Sequence, residues 1–494
     1  KIEIFFTLQI KHSETMASCN MNNNTLCVDL DGTLTHTDML HETALKLVTS
    51  KPSLILKLPT LLKAGKATLK QEISNVTDFD PSLLPYNNEL ITWLKKEKEG
   101  GRNIVLCTAS DQKIANKIAD HLGLFDEVIA SDGNSNIAGE VKASVLVDRF
   151  GDKGFDYAGN SVDDLVVWKK ANKAIIVNAT DDVYQQAKLD SDIEHVFKGP
   201  EMPSKRWLKM LRVHQWLKNA LLFVPVFAAH TFTDFSNWVT LFFAFISFSL
   251  CASTVYIAND LLDLESDRQH PNKSKRPFAS CAIPISQGIV IAPLLLLTSF
   301  SIAFFVGQDF VFWLAIYFFI TCIYSIKLKQ LVLIDCFTLA LLYTMRIIAG
   351  AAAVNLEMSF WLLAFSGFLF FSLSFVKRFA ELQLQLLNGK HKANGRGYFT
   401  DDAPIVQSIG VSSGYISVLV LALYLNSEDV LKLYSNPEWV YGSVVVMLFW
   451  VSWIWLRAFR GEMHDDPVVF AVKDRVSVVA GFIFALFLII GSLG

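Results

Sequence analysis

An acidic segment between two apolar runs holds the residues whose types and spacing most clearly suggest chemistry. It reads Asn259-Asp260-Leu-Leu-Asp263-Leu-Glu-Ser-Asp267, so its aspartates are three and four residues apart. On a helix, this spacing puts the three carboxylates on one face. Carboxylates at a membrane boundary need a partner, and Mg²⁺ carrying a diphosphate is a suitable one. We therefore predict that the three aspartates bind Mg²⁺ and that Asn259 contacts the substrate.

A basic cluster follows this acidic segment directly. Arginine and lysine are suited to binding phosphate oxygens. We predict that three of these residues bind substrate phosphate: Arg268, Lys273 and Arg276. An acidic cluster followed by a basic one, at the end of an apolar run, indicates a membrane enzyme that handles a diphosphate.

A second set of chemically competent residues lies near the amino terminus, where the chain reads Asp29-Leu-Asp31-Gly-Thr. Asp29 can attack phosphorus as a nucleophile, and Asp31 can protonate the leaving group and then activate water. Further along, we expect Thr108 and Ser110 to bind the phosphoryl group and Lys142 to neutralise the charge of both the nucleophile and the phosphate. The remaining predicted Mg²⁺ ligands, besides Asp29 and Asp31, are Asn160 and Asp164.

The elements that must position this second set alternate between strand and helix. Buried strands are predicted at 24–30, 103–106, 128–130, 154–158 and 174–178, with a helix at 112–122. Such alternation is typical of a parallel sheet covered on both faces. Polar residues follow several of these strands, at the edge where open α/β folds bind ligands.

The Asp-x-Asp-x-Thr motif with Thr108, Lys142 and Asp164 resembles the haloacid-dehalogenase superfamily of phosphatases over about residues 24–180. The resemblance implies a Mg²⁺-dependent phosphatase domain at 24–198, with a helical cap at about 35–100, preceded by an extension at 1–23. One position departs from the family, because the last motif begins Gly159-Asn160 where Gly-Asp is usual. Asn160 carries no charge, so a catalytically inactive binding or regulatory module is a competing hypothesis.

The apolar runs of the carboxyl-terminal part, 205–494, predict an all-α membrane domain. About nine spanning helices are predicted: 219–234, 237–258, 287–306, 309–326, 331–354, 358–376, 405–425, 438–456 and 477–493. Loops on one side hold fifteen lysines and arginines, whereas those on the other hold only Lys432. This bias predicts a multi-pass protein of the inner membrane with a cytoplasmic amino-terminal domain. The net charge of −3 gives no indication of nucleic acid as a partner.

The acidic motif after the second span resembles the UbiA superfamily of intramembrane prenyltransferases, over about 205–494. Most members have a second Asp-rich motif, and Lys327 and Lys329 occupy the place where it is expected. In this respect the chain resembles the decaprenyl-phosphate phosphoribosyltransferases, a branch of the superfamily. The resemblance implies that three further residues also bind phosphate groups, namely Arg346, Lys377 and Arg378. His464-Asp465-Asp466 is another polar cluster, to which we assign no direct role.

The expected reaction is Mg²⁺-dependent transfer of 5-phosphoribosyl from phosphoribosyl diphosphate to a polyprenyl phosphate. The phosphatase domain would then remove the 5′-phosphate of the lipid product. The alternative is a conventional prenyltransferase that uses a prenyl diphosphate and an aromatic or other acceptor, with the amino-terminal domain a general phosphatase or an inactive regulatory module.

Overall fold

The computed structural model describes residues 24–51, 65–133, 135–199, 204–389, 391–392, 396–427, 434–463 and 466–492. These residues form two compact units. The first contains the described residues up to Arg206 together with Asp260–Ile289, and the second contains Trp207–Asn259 and the described residues from Val290 onward. The predicted extension at 1–23 and the pair His464-Asp465 lie outside the described residues.

Six parallel strands form the sheet of the first unit, in the order β3-β2-β1-β4-β5-β6. Their bounds are β1 Thr25–Val28, β2 Ile104–Asp111, β3 Glu127–Ser131, β4 Phe155–Gly159, β5 Ala174–Val177 and β6 Ile193–Phe197. The predicted parallel α/β class is confirmed, but the sequence analysis missed β6. This edge strand exposes His195 and Val196 and has the polar pair Glu194-His195 in its middle, so it lacks the apolar run that marked the others.

The central strand β1 pairs with β2 on one side and β4 on the other. Leu26, Cys27 and Val28 are fully buried, as expected for a strand whose two faces are both covered by helices. Because all the strands run parallel, the carboxyl ends of β1, β2 and β4 meet at one edge of the sheet. The polar residues that follow these strands are therefore brought to the same edge.

The helices that accompany this sheet pack in two different ways. They are α1 Met39–Ser50, α2 Lys66–Val76, α3 Asn88–Glu99, α4 Gln112–Leu122, α5 Gly139–Phe150, α6 Leu165–Lys170 and α7 Asp181–Asp190. Helix α3 packs into the sheet core through Leu90 and Leu94. Helices α1 and α2 instead share a separate apolar cluster of Leu47, Leu69 and Ile73. Both helices lie within the predicted cap, which stays a prediction.

The rest of the chain is helical. Its helices are α8 Arg206–Met210, α9 Val224–Ala228, α10 Phe235–Leu262, α11 Leu264–Gln269, α12 Ile285–Val306, α13 Gln308–Ile326, α14 Ile334–Ala353, α15 Phe360–Leu387, α16 Ala403–Leu425, α17 Pro437–Phe459, α18 Pro467–Lys473 and α19 Arg475–Ser492. Within the described residues, eight segments are long and apolar enough to cross a membrane, and they correspond to α10, α12–α17 and α19. The chain is a multi-pass membrane protein.

The predicted span at 219–234 is wrong as a continuous helix. A 3₁₀ helix occupies Val213–Phe223, and the short helix α9 follows it with Pro225 in its first turn. The 3₁₀ segment packs against Gly350 of α14. A Cβ atom at Gly350 would lie 2.1 Å from the carbonyl oxygen of Leu222, so only glycine permits this approach. The apolar run is therefore divided between the end of this 3₁₀ segment and a short helix.

Candidate functional site

The structure brings Asp29 and Lys142 together at the end of β1. The Lys142 Nζ atom of α5 donates to Asp29 Oδ1 at 2.7 Å and to the Tyr157 hydroxyl at 2.8 Å. Burial by itself lowers the pKa of Lys142, but the carboxylates of Asp29 and Asp164 outweigh that effect and raise it. Lys142 is therefore a fixed positive charge beside the predicted nucleophile, as the sequence analysis expected of this residue type.

Asp31 is held by two donors that aim its carboxyl group. The backbone N–H of Met39 donates to Oδ1 at 2.7 Å, and the Ser110 hydroxyl donates to Oδ2 at 2.8 Å. Burial raises the pKa of Asp31 to about 6. A carboxyl group with a raised pKa can hold a proton for a leaving group. Thr108 is fully buried, and its Oγ1 accepts the backbone N–H of Ser110 at 3.0 Å.

Asp164, a predicted Mg²⁺ ligand, accepts hydrogen bonds from the turn after β4 and from Tyr157. Its Oδ2 accepts the backbone N–H groups of Asn160 and Ser161 and the Ser161 hydroxyl, each at 2.9 Å. Its Oδ1 accepts the Tyr157 hydroxyl at 2.8 Å. Asp164 thus caps the turn after β4 and orders Tyr157. The sequence analysis missed Tyr157, because a tyrosine inside a buried strand looks like ordinary core.

Asn160 lies next to Gly32, in the segment that carries Asp29 and Asp31. A Cβ atom added at Gly32 would lie 2.2 Å from Asn160 Nδ2, so glycine is required for this contact. The oxygens of Asp29, Asn160 and the Asp31 carbonyl are a hard donor set that fits Mg²⁺, with one negative charge fewer than two aspartates would provide. Within the described residues, no three acidic, histidine or cysteine side chains converge on a common point.

The acidic motif of the first unit does not lie on one continuous helix, so that prediction is wrong. Helix α10 ends at Leu262, α11 begins at Leu264, and Asp263 between them has φ −93° and ψ 12°. Aspartate favours helix ends, because its side chain competes for backbone hydrogen bonds. Asp263 lines a groove with Glu42 and Lys46.

Asp260 and Asp267 are brought together across this break by Arg276. Its Nη1 donates to Asp260 Oδ1 at 3.0 Å and to Asp267 Oδ2 at 2.6 Å. Both carboxylates are almost completely buried. Asp267 Oδ1 has no hydrogen-bond donor among the described residues, and Lys273 Nζ lies 3.9 Å away. A buried carboxylate oxygen without a donor fits a site that completes its shell with a cation such as Mg²⁺.

Two other predicted ligands from this stretch have protein partners elsewhere. Arg268 forms an ion pair with Glu42. Asn259 belongs to the second unit, where its Nδ2 donates to the Ser325 hydroxyl at 2.9 Å.

Arg346, in the middle of α14, uses each guanidinium nitrogen inside the second unit. Its Nε donates to Asn219 Oδ1 at 2.9 Å, its Nη2 to the Tyr317 hydroxyl at 3.0 Å, and its Nη1 to the Leu342 carbonyl. An arginine within a membrane-spanning helix is costly unless it has polar contacts, and Arg346 has three. Its partners in this structure are protein groups, where the sequence analysis expected a phosphate.

Asp466 forms ion pairs with two lysines. Lys218 Nζ and Lys377 Nζ donate to its Oδ2 at 2.8 and 3.1 Å, and the Tyr343 hydroxyl donates to Oδ1 at 2.7 Å. Burial by itself raises the pKa of Asp466, but the two lysines outweigh it and lower that pKa well below its usual range. Neither Lys218 nor Asp466 was among the predicted site residues. The feature of the sequence that could have indicated this ion pair is Lys218, a lysine directly before an apolar run.

Asp335 and Arg378 form an ion pair with no exposed side-chain surface. Arg378 Nη2 lies 2.7 Å from Asp335 Oδ2, and the Tyr398 hydroxyl donates to Asp335 Oδ1 at 2.7 Å. Arg396 Nη1 lies 3.4 Å from Asp335 Oδ2. The pair joins the start of α14 to α15. In contrast, Lys327 is exposed and Lys329 is half-buried.

We expect Arg378→Met to destabilise the protein by about 3–5 kcal/mol, because it leaves the Asp335 carboxylate buried without its main counter-charge. Unfolding of the detergent-solubilised chain by denaturant measures this loss. The matched control is Lys169→Met, which removes a half-exposed pair with Asp190 and should cost about 0–1 kcal/mol. Equal stability of the two variants would contradict a structural role for Arg378.

Sequence comparison identifies the family of the helical part. The UbiA prenyltransferase family matches residues 220–471. The chain belongs to this family. The matched residues include the acidic motif, the basic cluster that follows it and the buried ion pair of Asp335 and Arg378.

Relatives of this UbiA protein differ in how much of the chain they share. A Sinorhizobium fredii protein named "Uncharacterized protein y4nM" is 36% identical over 93% of this chain and 89% of its own length. A decaprenyl-phosphate phosphoribosyltransferase of Mycobacterium tuberculosis is 31% identical over 54% of this chain and 88% of its own length. Among solved structures, a substrate-bound phosphoserine phosphatase covers 36% of this chain and 94% of its own, with 15% identity and a TM-score of 0.27.

Proposed function

We propose that this UbiA-family protein transfers 5-phosphoribosyl from phosphoribosyl diphosphate to a polyprenyl phosphate, and that its amino-terminal domain removes the 5′-phosphate of the product. The observation that carries the transfer step is the similarity to relatives named decaprenyl-phosphate phosphoribosyltransferase. The buried acidic pair Asp260 and Asp267 supports it, because a diphosphate donor needs a cation-binding group.

For the donor, Asp260, Asp263 and Asp267 are the proposed Mg²⁺ ligands. Bound there, Mg²⁺ would neutralise the charge that develops on the departing diphosphate. Arg276 holds two of these carboxylates at a fixed separation before any ligand arrives. Lys273, which is nearly half exposed, is free to turn toward donor phosphate oxygens.

For the acceptor, Lys327, Lys329 and Lys377 are the proposed ligands of the lipid phosphate. In the transfer, the bond from ribose C1 to the diphosphate oxygen breaks, and a bond from C1 to an oxygen of the lipid phosphate forms. A phosphate monoester is already anionic at neutral pH, so the acceptor needs no general base. The lysines therefore position charge and remove no proton.

For the second step, Asp29 would attack the 5′-phosphate and Asp31 would protonate the departing ribose oxygen. Water then releases phosphate from Asp29, with Asp31 accepting the proton. Lys142 neutralises the nucleophile, and Thr108 and Ser110 border the phosphoryl position. Asp29, the Asp31 carbonyl and Asn160 would hold Mg²⁺, which lowers the charge barrier between two anions.

We further infer that both steps take place on the cytoplasmic side of the inner membrane. The support is the one-sided distribution of lysine and arginine between the loops. Joining two successive enzymes in one chain raises the effective concentration of the intermediate at the second site.

A donor screen tests the transfer step. We expect the detergent-solubilised chain with Mg²⁺ and a polyprenyl phosphate to use phosphoribosyl diphosphate, and to lose this activity when Mg²⁺ is chelated. The lipid product and the released diphosphate are measured for this donor and for prenyl diphosphates of several lengths. Transfer from a prenyl diphosphate alone would overturn the proposal and establish the conventional prenyltransferase reaction.

A further inference from the structure

The ion pair between Glu42 and Arg268 is buried and two-pronged. Arg268 Nη2 donates to Glu42 Oε1 at 2.5 Å, and Nη1 donates to Oε2 at 3.2 Å. The side chains are only 9% and 8% exposed. Both residues belong to the first unit, although they are 226 positions apart in the chain. A bidentate arginine–carboxylate contact fixes orientation as well as distance.

Glu42 lies on the cap helix α1, whose first residue contacts the phosphatase-like site. The backbone N–H of Met39 donates to Asp31 Oδ1, and Glu42 is one turn further along the same helix. The Thr37 hydroxyl donates to Glu42 Oε1 at 2.8 Å. The Thr37 carbonyl in turn accepts the Gly32 N–H at 3.3 Å. Glu42 is therefore held by the same segment that carries the Asp29 and Asp31 motif.

Arg268 lies on α11, a helix of only six residues that also carries Asp267. So short a helix has little stability of its own and depends on contacts made by its side chains. Asp267 is one residue before Arg268, and its Oδ2 shares Arg276 with Asp260. The direction in which Asp267 points is therefore tied to where Arg268 is anchored.

A second pair of opposite sign flanks this anchor. Lys46, one turn after Glu42 on α1, forms an ion pair with Glu265 of α11. These side chains are about one-third exposed. Glu42 and Lys46 on α1 therefore pair with Arg268 and Glu265 on α11, respectively. The two helices are complementary in charge at two successive turns.

We propose that Glu42 is a positioning residue for the transferase: through Arg268 it fixes α11 so that Asp267 is correctly aimed for the magnesium–diphosphate donor. The inference rests on the proposed function for its kinetic consequence. It gives the phosphatase-like segment a part in the transfer step, separate from any hydrolysis that it performs. It also assigns Arg268 to Glu42, in place of the donor phosphate.

Charge and burial decide what a substitution does here. Glu42→Gln keeps the shape of the side chain but removes the charge that compensates Arg268 in a buried position. Arg268 must then move toward water or toward another acid, and α11 moves with it. A displacement of a catalytic carboxylate by about 1 Å is enough to lower activity roughly a hundredfold.

Two measurements on the full-length chain test the proposal. Glu42→Gln should raise the KM for phosphoribosyl diphosphate about tenfold to a hundredfold, with hydrolysis of p-nitrophenyl phosphate at the amino-terminal site retained. Hydrogen–deuterium exchange of peptides covering residues 260–276 should become about tenfold faster. Arg268→Gln should do the same, and the double variant should be no worse than either single variant, since all three remove one pair.

Lys46→Gln is the matched control, because it removes the flanking pair, which is more exposed than Glu42 and Arg268, and it should change KM and exchange less than twofold. If Glu42→Gln leaves both KM and exchange unchanged, the proposal is overturned. It is also overturned if Arg268→Gln raises KM while Glu42→Gln does not, since Arg268 would then bind the donor itself. If the unaltered chain shows no phosphoribosyl transfer, the proposed function fails, and the exchange measurement still decides the positioning role.

Discussion

Replacing Asp260 by asparagine is expected to reduce transfer from phosphoribosyl diphosphate by about a hundredfold to a thousandfold. The Asp260 carboxylate is buried and shares Arg276 with Asp267. Removing its charge leaves Asp267 alone against the Arg276 guanidinium and takes away one of the three negative charges proposed to attract Mg²⁺. The measurement is initial rate of lipid product formation as a function of Mg²⁺ concentration.

The dependence of the reduced transfer rate on Mg²⁺ concentration tests the role of Asp260 as a metal ligand. Higher Mg²⁺ should restore part of the activity of Asp260→Asn, because the substitution weakens a metal ligand and leaves the fold in place. Asp309→Asn is the control: Asp309 is exposed in the first turn of α13, and its substitution should leave the rate unchanged. Full activity of Asp260→Asn at every Mg²⁺ concentration would remove the basis of the proposed donor site.

Replacing Asp29 by asparagine is expected to reduce the rate of phosphate release by about a thousandfold or more, because the attacking carboxylate is lost. Transfer itself should continue, so the lipid product accumulates with its 5′-phosphate in place. Mass spectrometry of the lipid fraction distinguishes the two products by one phosphate group. In the structure, Asp29 contacts Lys142 at the end of the central strand, which is the arrangement that this prediction depends on.

A control and a competing outcome sharpen this experiment. Asp78→Asn changes a highly exposed carboxylate that pairs with Lys117, and it should leave phosphate release unaffected. The competing hypothesis is an inactive module, for which Asn160 is the motivation. If the unaltered chain releases no phosphate from the lipid product or from p-nitrophenyl phosphate, the inactive module is favoured and the second step of the proposed function is withdrawn.

The arrangement of the phosphatase-like motifs was predictable because parallel sheets obey a simple rule. Residues at the carboxyl ends of β1 and β2 must meet at one edge once the strands are parallel, whatever loops separate them. Asp31 follows β1 and Ser110 lies at the end of β2, and the Ser110 hydroxyl donates to Asp31 Oδ2 although the two residues are 79 positions apart. Strand β6 escaped prediction because an exposed edge strand shows no apolar run.

The roles of the arginines were not predictable in the same way. Sequence places Arg346 and Arg378 in apolar surroundings and indicates that each needs a polar partner. It does not say whether that partner is a substrate phosphate or a protein group. The structure supplies Asn219 and Tyr317 for one, and Asp335 for the other.

The sequence by itself determined the parallel α/β domain, the polytopic helical domain and the chemical types of the groups at each candidate site. Periodicity, apolar run length and motif spacing are local properties, and they leave a direct record in residue order. Only the tertiary structure decided which charges pair, where the helix breaks at Asp263, and that Arg268 meets Glu42. Ion pairs join residues far apart in the chain, as with Lys218 and Asp466 at a separation of 248, and no local pattern specifies such partners.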